Sequence, residues 1–240
     1  MLPFTILNAD ATTPILIVGD HASNRVPSDI TLGLPDEVMT EHVAVDIGVA
    51  PLAAALCARL DCAAFLATLS RLVIDLNREE DAHGLIPATS DGRAISGNVA
   101  LDDSGRADRI ARFWRPYHDR LAVEIAARRP AMLLSLHSFT PRLATSDEPR
   151  PWQVGVLYNT DDRAARVAIP LLEAEGIVTG DNLPYSGKVL NATMNRHGEG
   201  NGIPYLGLEV RQDLISESTG VIEWADRLGP IIAETLAALA

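Results

Sequence analysis

Three apolar stretches of the chain end in, or enclose, residues that burial alone does not call for. ILIVGDHASNRVP runs into His21, AMLLSLHSFTP delivers His137 and Ser138, and YLGLEVRQDLI carries Glu209 within an otherwise apolar run. A carboxylate in such a run is costly to desolvate unless it is paired or put to use. Two imidazoles and one carboxylate, with a fourth position left open, are the usual donors of a catalytic zinc ion. Asp46 opens the segment DIGVAPLAAALCARL, where an acid also serves as a helix cap or dipole partner. Zinc brings the pKa of water down toward about 7, and a further carboxylate can then take the proton, a role that Glu209 fits. The bland readings are polar turns at the two histidines and a buried ion pair of Glu209 with Arg71 or Arg211.

A fourth segment, SRLVIDLNRE, gathers Arg71, Asp75, Asn77 and Arg78. Arginine presents a planar fork that matches a carboxylate in two places, so two arginines and an amide suit the capture of an anionic substrate.

The elements that must position these residues are legible from periodicity. Runs rich in Val, Ile and Leu at 15–18, 63–68, 72–76, 132–136, 154–158 and 205–210 suit strands covered on both faces. Between them, 49–60, 109–128, 162–175 and 220–239 carry helical patterns; in the second, Ile110, Trp114, Tyr117, Leu121 and Ile125 form one stripe. Such alternation predicts an α/β fold, a three-layer αβα sandwich around a largely parallel, mixed sheet, with ligands at the carboxyl ends of the strands. Two polar stretches, 79–105 and 181–202, exceed what a connection requires and are expected to be functional or mobile loops.

At 240 residues with even composition, one domain spanning 1–240 is the simplest partition. A net charge of −12 with scattered basic residues leaves no footprint for nucleic acid or an anionic membrane. The amino terminus lacks the basic and apolar regions of a secretion signal, and no uncharged stretch is long enough to span a bilayer, so a cytoplasmic protein is expected. Cys57 and Cys62 read as core thiols.

Taken in order, GDHASNRVP, SRLVIDLNRE, LLSLHSFTP and HGEGNGIPYLGLEVRQDLI resemble the N-formylglutamate amidohydrolase family. That resemblance implies a phosphorylase/hydrolase-like fold, shared with zinc carboxypeptidases, aspartoacylases and zinc-dependent N-acetylmuramoyl-L-alanine amidases. It also implies one zinc ion per chain and hydrolysis of N-formyl-L-glutamate or a similar small anionic N-acyl amino acid. Carried over by position, His21 and His137 match the metal histidines and Glu209 the general base. Arg71 matches an arginine that polarises the scissile carbonyl, and Asn77 and Arg78 match a pair that holds the substrate carboxylate. The third ligand is open between Asn24, which stands where carboxypeptidases have glutamate, and Asp46, which matches the amidases; a carboxylate offsets the zinc charge as an amide does not. His197, in MNRHGEGNG, resembles a family position in the second long loop, which implies contact with substrate or with the zinc-bound water, and Asn24, Ser138 and Arg211 are assigned to substrate with it. His42, His83 and His118 are given no role, their default being the surface or a supporting position. A peptidoglycan-type amide or another N-acyl amino acid as substrate, and a binding protein without catalysis, are the rival readings. A serine hydrolase is disfavoured because no G-x-S-x-G elbow is present. Oligomeric state is not legible.

Overall fold

A computed structural model describes residues 1–239. The chain opens with strand β1 (Phe4–Leu7) and strand β2 (Ile15–Gly19), followed by helix α1 (Val49–Leu60) and strand β3 (Ala63–Ala67). A two-residue hairpin, β4 (Thr89–Ser90) and β5 (Arg93–Ala94), precedes helices α2 (Ser96–Val99), α3 (Asp103–Arg109) and α4 (Arg115–Arg128). Then come β6 (Met132–Phe139), β7 (Val154–Leu157), α5 (Arg163–Ala174), β8 (Thr179–Asp181), α6 (Ala192–His197), β9 (Tyr205–Arg211) and α7 (Ser218–Ala238).

Seven strands form one mixed sheet in the order β1-β3-β2-β6-β9-β7-β8. The central run β3-β2-β6-β9 is parallel, β1 and β7 join it antiparallel, and β8 is parallel to β7. Side chains alternate across a strand, and here both faces are apolar. Ile15, Ile17, Leu134, Leu136, Leu206 and Leu208 pack on one side with residues of α1, α5 and α7, including Leu52, Leu172 and Trp224. Leu16, Val18, Phe65, Leu133 and Tyr205 pack on the other with Phe113, Tyr117 and Leu121. Helices therefore cover both sides of the sheet, as the alternation of strand and helix patterns predicts.

The same alternation places Ser135 and His137 on the face of Leu133, and Gly207 and Glu209 on the face of Tyr205. β6 and β9 are paired so that His137 stands directly beside Glu209. Two polar side chains thus emerge next to each other from two buried strands.

Four local expectations are corrected. Residues 72–76 form no strand: Val73 N–H donates to Ser70 O, Asp75 N–H to Leu85 O and Arg78 N–H to Asp75 O, so the segment is a series of turns. Its apolar side chains are as buried as those of a strand, and burial is what the hydrophobic run reported. The helical stripe 109–128 is interrupted by a π-turn over Ile110–Trp114, an insertion of the kind common at functional sites. The two long polar stretches are not structureless; 79–105 holds the hairpin, α2 and the start of α3, and 181–202 holds α6. Asp46 lies ahead of its helix rather than capping it, because Gly48 is the residue before α1, at φ +83. A Cβ on Gly48 would strike the Ile215 carbonyl, so glycine is needed both for its conformation and for the close approach.

Candidate metal centre and substrate cavity

Three elements deliver the metal-binding candidates. His21 follows β2 by two residues, Asp46 precedes α1, and His137 lies within β6. Donor atoms of His21, Asp46 and His137 all fall within 4.8 Å of one another, and all three residues are buried. The two imidazole rings are 5.0 Å apart, centre to centre. A backbone bond from Asp46 N–H to His21 O at 3.0 Å ties the loop that carries the acid to the loop that carries the first histidine.

The ring nitrogens of His21 are not equivalent. Nε2 lies 2.7 Å from Asp75 Oδ1, and a carboxylate only accepts, so Nε2 carries the proton. Nδ1 is buried without a hydrogen-bond partner and stands 3.5 Å from Asp46 Oδ2. In a neutral ring that nitrogen is a lone pair facing a carboxylate, an arrangement that a cation between them makes favourable. Asp46 Oδ2 also lies 2.9 Å from His137 Nδ1 and accepts from Ser138 N–H at 3.3 Å. His137 Nε2 is likewise unpartnered, 3.7 Å from Asp20 Oδ2, which has no hydrogen-bond partner either. Tyr117 donates its hydroxyl to the other oxygen of Asp20 at 2.7 Å.

The electrostatics agree with a cation centre. Burial and Arg71 both press the His21 pKa down, yet Asp75 and Asp46 outweigh them and raise it to about 9. Burial pushes Asp46 up, but His21 and His137 hold it well below the usual carboxylate range. Glu209 is different, since burial dominates and lifts it to about 7, against the pull of His137 and Arg71. Its Oε2 is buried and unpartnered. Two imidazoles, a carboxylate and this set of unsatisfied buried atoms match the donor chemistry of a zinc site with an open position.

Beside these groups is a cavity of about 340 Å³, lined among others by His21, Asp46, His137, Glu209, Arg71, Asn77, Arg78 and Ser138. That volume is at the small end for ligand sites. Arg71 donates to Asp46 Oδ1 at 3.3 Å and to Asp75 Oδ2 at 2.9 Å, so it is oriented by the acids it sits between. Asp75 also accepts from Asn77 N–H at 3.0 Å. One carboxylate therefore braces His21, Arg71 and the turn that carries Asn77. Ser138 lines the cavity but spends its hydroxyl on Ile47 O at 2.8 Å.

Three residues expected at the substrate lie outside this lining. Arg211 turns to Asp213 at 2.8 Å and to the Pro151 carbonyl. His197 is buried against His118, with 3.0 Å between His118 Nδ1 and His197 Nε2. Asn24, half-buried, belongs to neither the donor cluster nor the cavity wall.

Other lining residues escaped sequence reasoning. His42 lines the cavity and donates to Asp91 Oδ2 at 3.1 Å. Asp91 also accepts from Ala144 N–H, Thr145 N–H and the Thr145 hydroxyl, which ties the β4–β5 hairpin to the loop after β6. The signal was present in Asp91-Gly92, both at positive φ. An Asp-Gly pair between two short extended segments marks a tight hairpin.

Comparison with known proteins gives consistent results. The model of the N-formylglutamate amidohydrolase family, FGase, matches residues 13–216. A gene product of Agrobacterium tumefaciens superposes with a TM-score of 0.94 at 29% identity, over 99% of this chain and 96% of that one. An N-formylglutamate amidohydrolase from Ralstonia eutropha JMP134 superposes with a TM-score of 0.76 at 21% identity, over 100% of this chain and 97% of that one, a likeness of fold. No curated protein matches the chain in sequence. No helix among the described residues is long and apolar enough to cross a membrane.

Proposed function

Because the chain belongs to the N-formylglutamate amidohydrolase family, we propose that it is a zinc-dependent amidohydrolase that removes the acyl group from a small anionic N-acyl amino acid such as N-formyl-L-glutamate. The observation that carries this reading is the meeting of His21, Asp46 and His137 donor atoms within 4.8 Å at a cavity that Glu209, Arg71, Asn77 and Arg78 also line.

His21, Asp46 and His137 would hold the ion. Zinc in such a site supplies Lewis-acid polarisation of a carbonyl and eases the deprotonation of water near neutral pH. Glu209, whose Oε2 has no other partner, accepts the proton of the attacking water and returns it to the leaving nitrogen, so the C–N bond breaks to a free amine and a short carboxylic acid. Arg71 donates to the carbonyl oxygen as negative charge develops there, held in place by Asp46 and Asp75. Asn77 accepts from Thr193 N–H through its Oδ1 at 3.0 Å, which leaves its amide N–H groups, with the Arg78 guanidinium, to bind the substrate carboxylate. Asp91 fastens the hairpin to the 141–145 loop, whose Leu143 and Thr145 line the same cavity; that roofing suits a small molecule over a polymer strand.

The test is direct. Purified protein is expected to carry about one zinc per chain, to release formate from N-formyl-L-glutamate, and to lose that activity on chelation and regain it on zinc addition. Full activity in metal-free protein would remove the mechanism; hydrolysis of other N-acyl amino acids alone would move the substrate assignment and keep the chemistry.

A further inference from the structure

The segment that carries Asn77 and Arg78 belongs to no helix or strand, yet both residues line the cavity. Its backbone is held from behind by two helices. Trp114 Nε1–H donates to Arg78 O at 2.9 Å, and His118 Nε2 lies 3.0 Å from Leu76 O. From α6, the Thr193 hydroxyl donates to the same Leu76 carbonyl at 3.3 Å.

The contacts of His118 determine which nitrogens carry protons. A carbonyl only accepts, so His118 Nε2 must be the donor, and in the neutral ring its Nδ1 is a lone pair. That lone pair is 3.0 Å from His197 Nε2, so His197 donates from Nε2. The two rings are stacked, 5.3 Å apart and 10° from parallel, and His118 packs against Trp114 at 4.3 Å. The result is a directional chain, His197 to His118 to Leu76 O, whose last acceptor is the carbonyl of the residue before Asn77.

We infer that His118 and His197 are positioning residues for substrate binding: they touch no substrate themselves but fix the Leu76–Arg78 backbone so that Asn77 and Arg78 meet the substrate carboxylate. This rests on the reading of Asn77 and Arg78 as the carboxylate anchors. It gives a role to His197, which ends α6 buried and outside the cavity lining. Burial keeps both rings neutral near pH 7, the state that the donor order requires.

The experiment compares His118→Phe, which keeps the ring stack and removes both nitrogens, with His118→Gln, which restores a donor toward Leu76 O. His118→Phe is expected to raise KM for N-formyl-L-glutamate about tenfold, the equivalent of one lost positioning hydrogen bond, with kcat within about threefold of wild type and zinc content unchanged. His118→Gln is expected to recover most of the KM. An unchanged KM, or equal losses in both variants carried by kcat, overturns the proposal. Where His118→Phe does not fold, His197→Phe, which leaves the bond to Leu76 O in place but removes the donor behind it, carries the same KM test. Amide exchange at Asn77 and Arg78 is read in parallel: at least a fivefold acceleration in His197→Phe is expected, and wild-type rates there overturn the proposal. If wild-type protein hydrolyses no N-acyl amino acid, the functional reading falls and the exchange measurement alone decides this one.

Discussion

Acid should destabilise this fold through the His118–His197 pair, by an amount that can be worked out. Both residues are 4% exposed. Burial, with His197 and Arg196 adding to it, lowers His118 to about 3, and burial with Arg196 lowers His197 to about 4. The charged and titratable groups around them are Arg196, which stacks over Trp114 and pairs with Glu79, and Tyr117, whose ring meets His118 edge-on. In the unfolded chain each imidazole takes a proton near pH 6.5. Above that pH neither state is protonated and the pair contributes nothing. As pH falls below about 6.5 the unfolded chain gains protons that the folded one refuses, so stability drops until pH approaches the folded values. At pH 5 that is about 1.5 pH units per ring, or about 2 kcal/mol each and about 4 kcal/mol for the pair. His21 and Glu209, both raised, act in the opposite sense in metal-free protein, so the zinc-loaded protein is the one to measure. Urea unfolding of wild type and of the His118→Phe, His197→Phe double variant at pH 7.5 and 5.0 isolates the pair. The variant begins less stable, but its deficit should shrink by about 4 kcal/mol on acidification. Parallel stability losses in the two proteins would refute the assignment of neutral, proton-refusing rings.

Glu209→Gln should keep zinc at about one per chain and lower kcat by at least a hundredfold, whereas His137→Ala should lose both metal and turnover; metal analysis beside steady-state kinetics separates them. Asp75→Asn should weaken zinc affinity about 10- to 100-fold in a chelator competition, because the acceptor that fixes the His21 tautomer is replaced by an amide. Gly48→Ala should cost more than about 1 kcal/mol in chemical denaturation, since its φ of +83 and the approach of the Ile215 carbonyl leave no room for a Cβ.

The convergence of His21, His137 and Glu209 on one cavity was legible because each ends or interrupts a buried run, and a polar residue in such a place must be satisfied by something. The layers of the fold were legible for a similar reason, since strands apolar on both faces must be covered twice. Residues 72–76 misled because an apolar run reports burial and not the partner of its backbone; Asp75 N–H goes to Leu85 O rather than to a ladder. His118 gave no local sign, and the segment around His197 pointed to the substrate rather than to a second imidazole. Their bond joins residues 79 apart, and each by itself is an ordinary helical histidine. Asp75 hid its reach in the same way, because an acid after a hydrophobic run reads as a turn residue until its contact with His21 is seen. Arg211 looked like an anion anchor near Glu209, and alternation does put the two on one face of β9, but Arg211 is the last residue of the strand and its guanidinium turns to Asp213 instead.

The three donors of the candidate metal centre arrive from a loop after β2, a turn ahead of α1 and the interior of β6. No contiguous stretch of the chain could be cut out as a metal-binding peptide. On the zinc-bound reading proposed above, capture of the ion awaits the docking of the central strands, and an ion that binds only the finished architecture would hold it shut by mass action. Zinc retention in a preparation would then serve as a gauge of how many molecules have reached their final form.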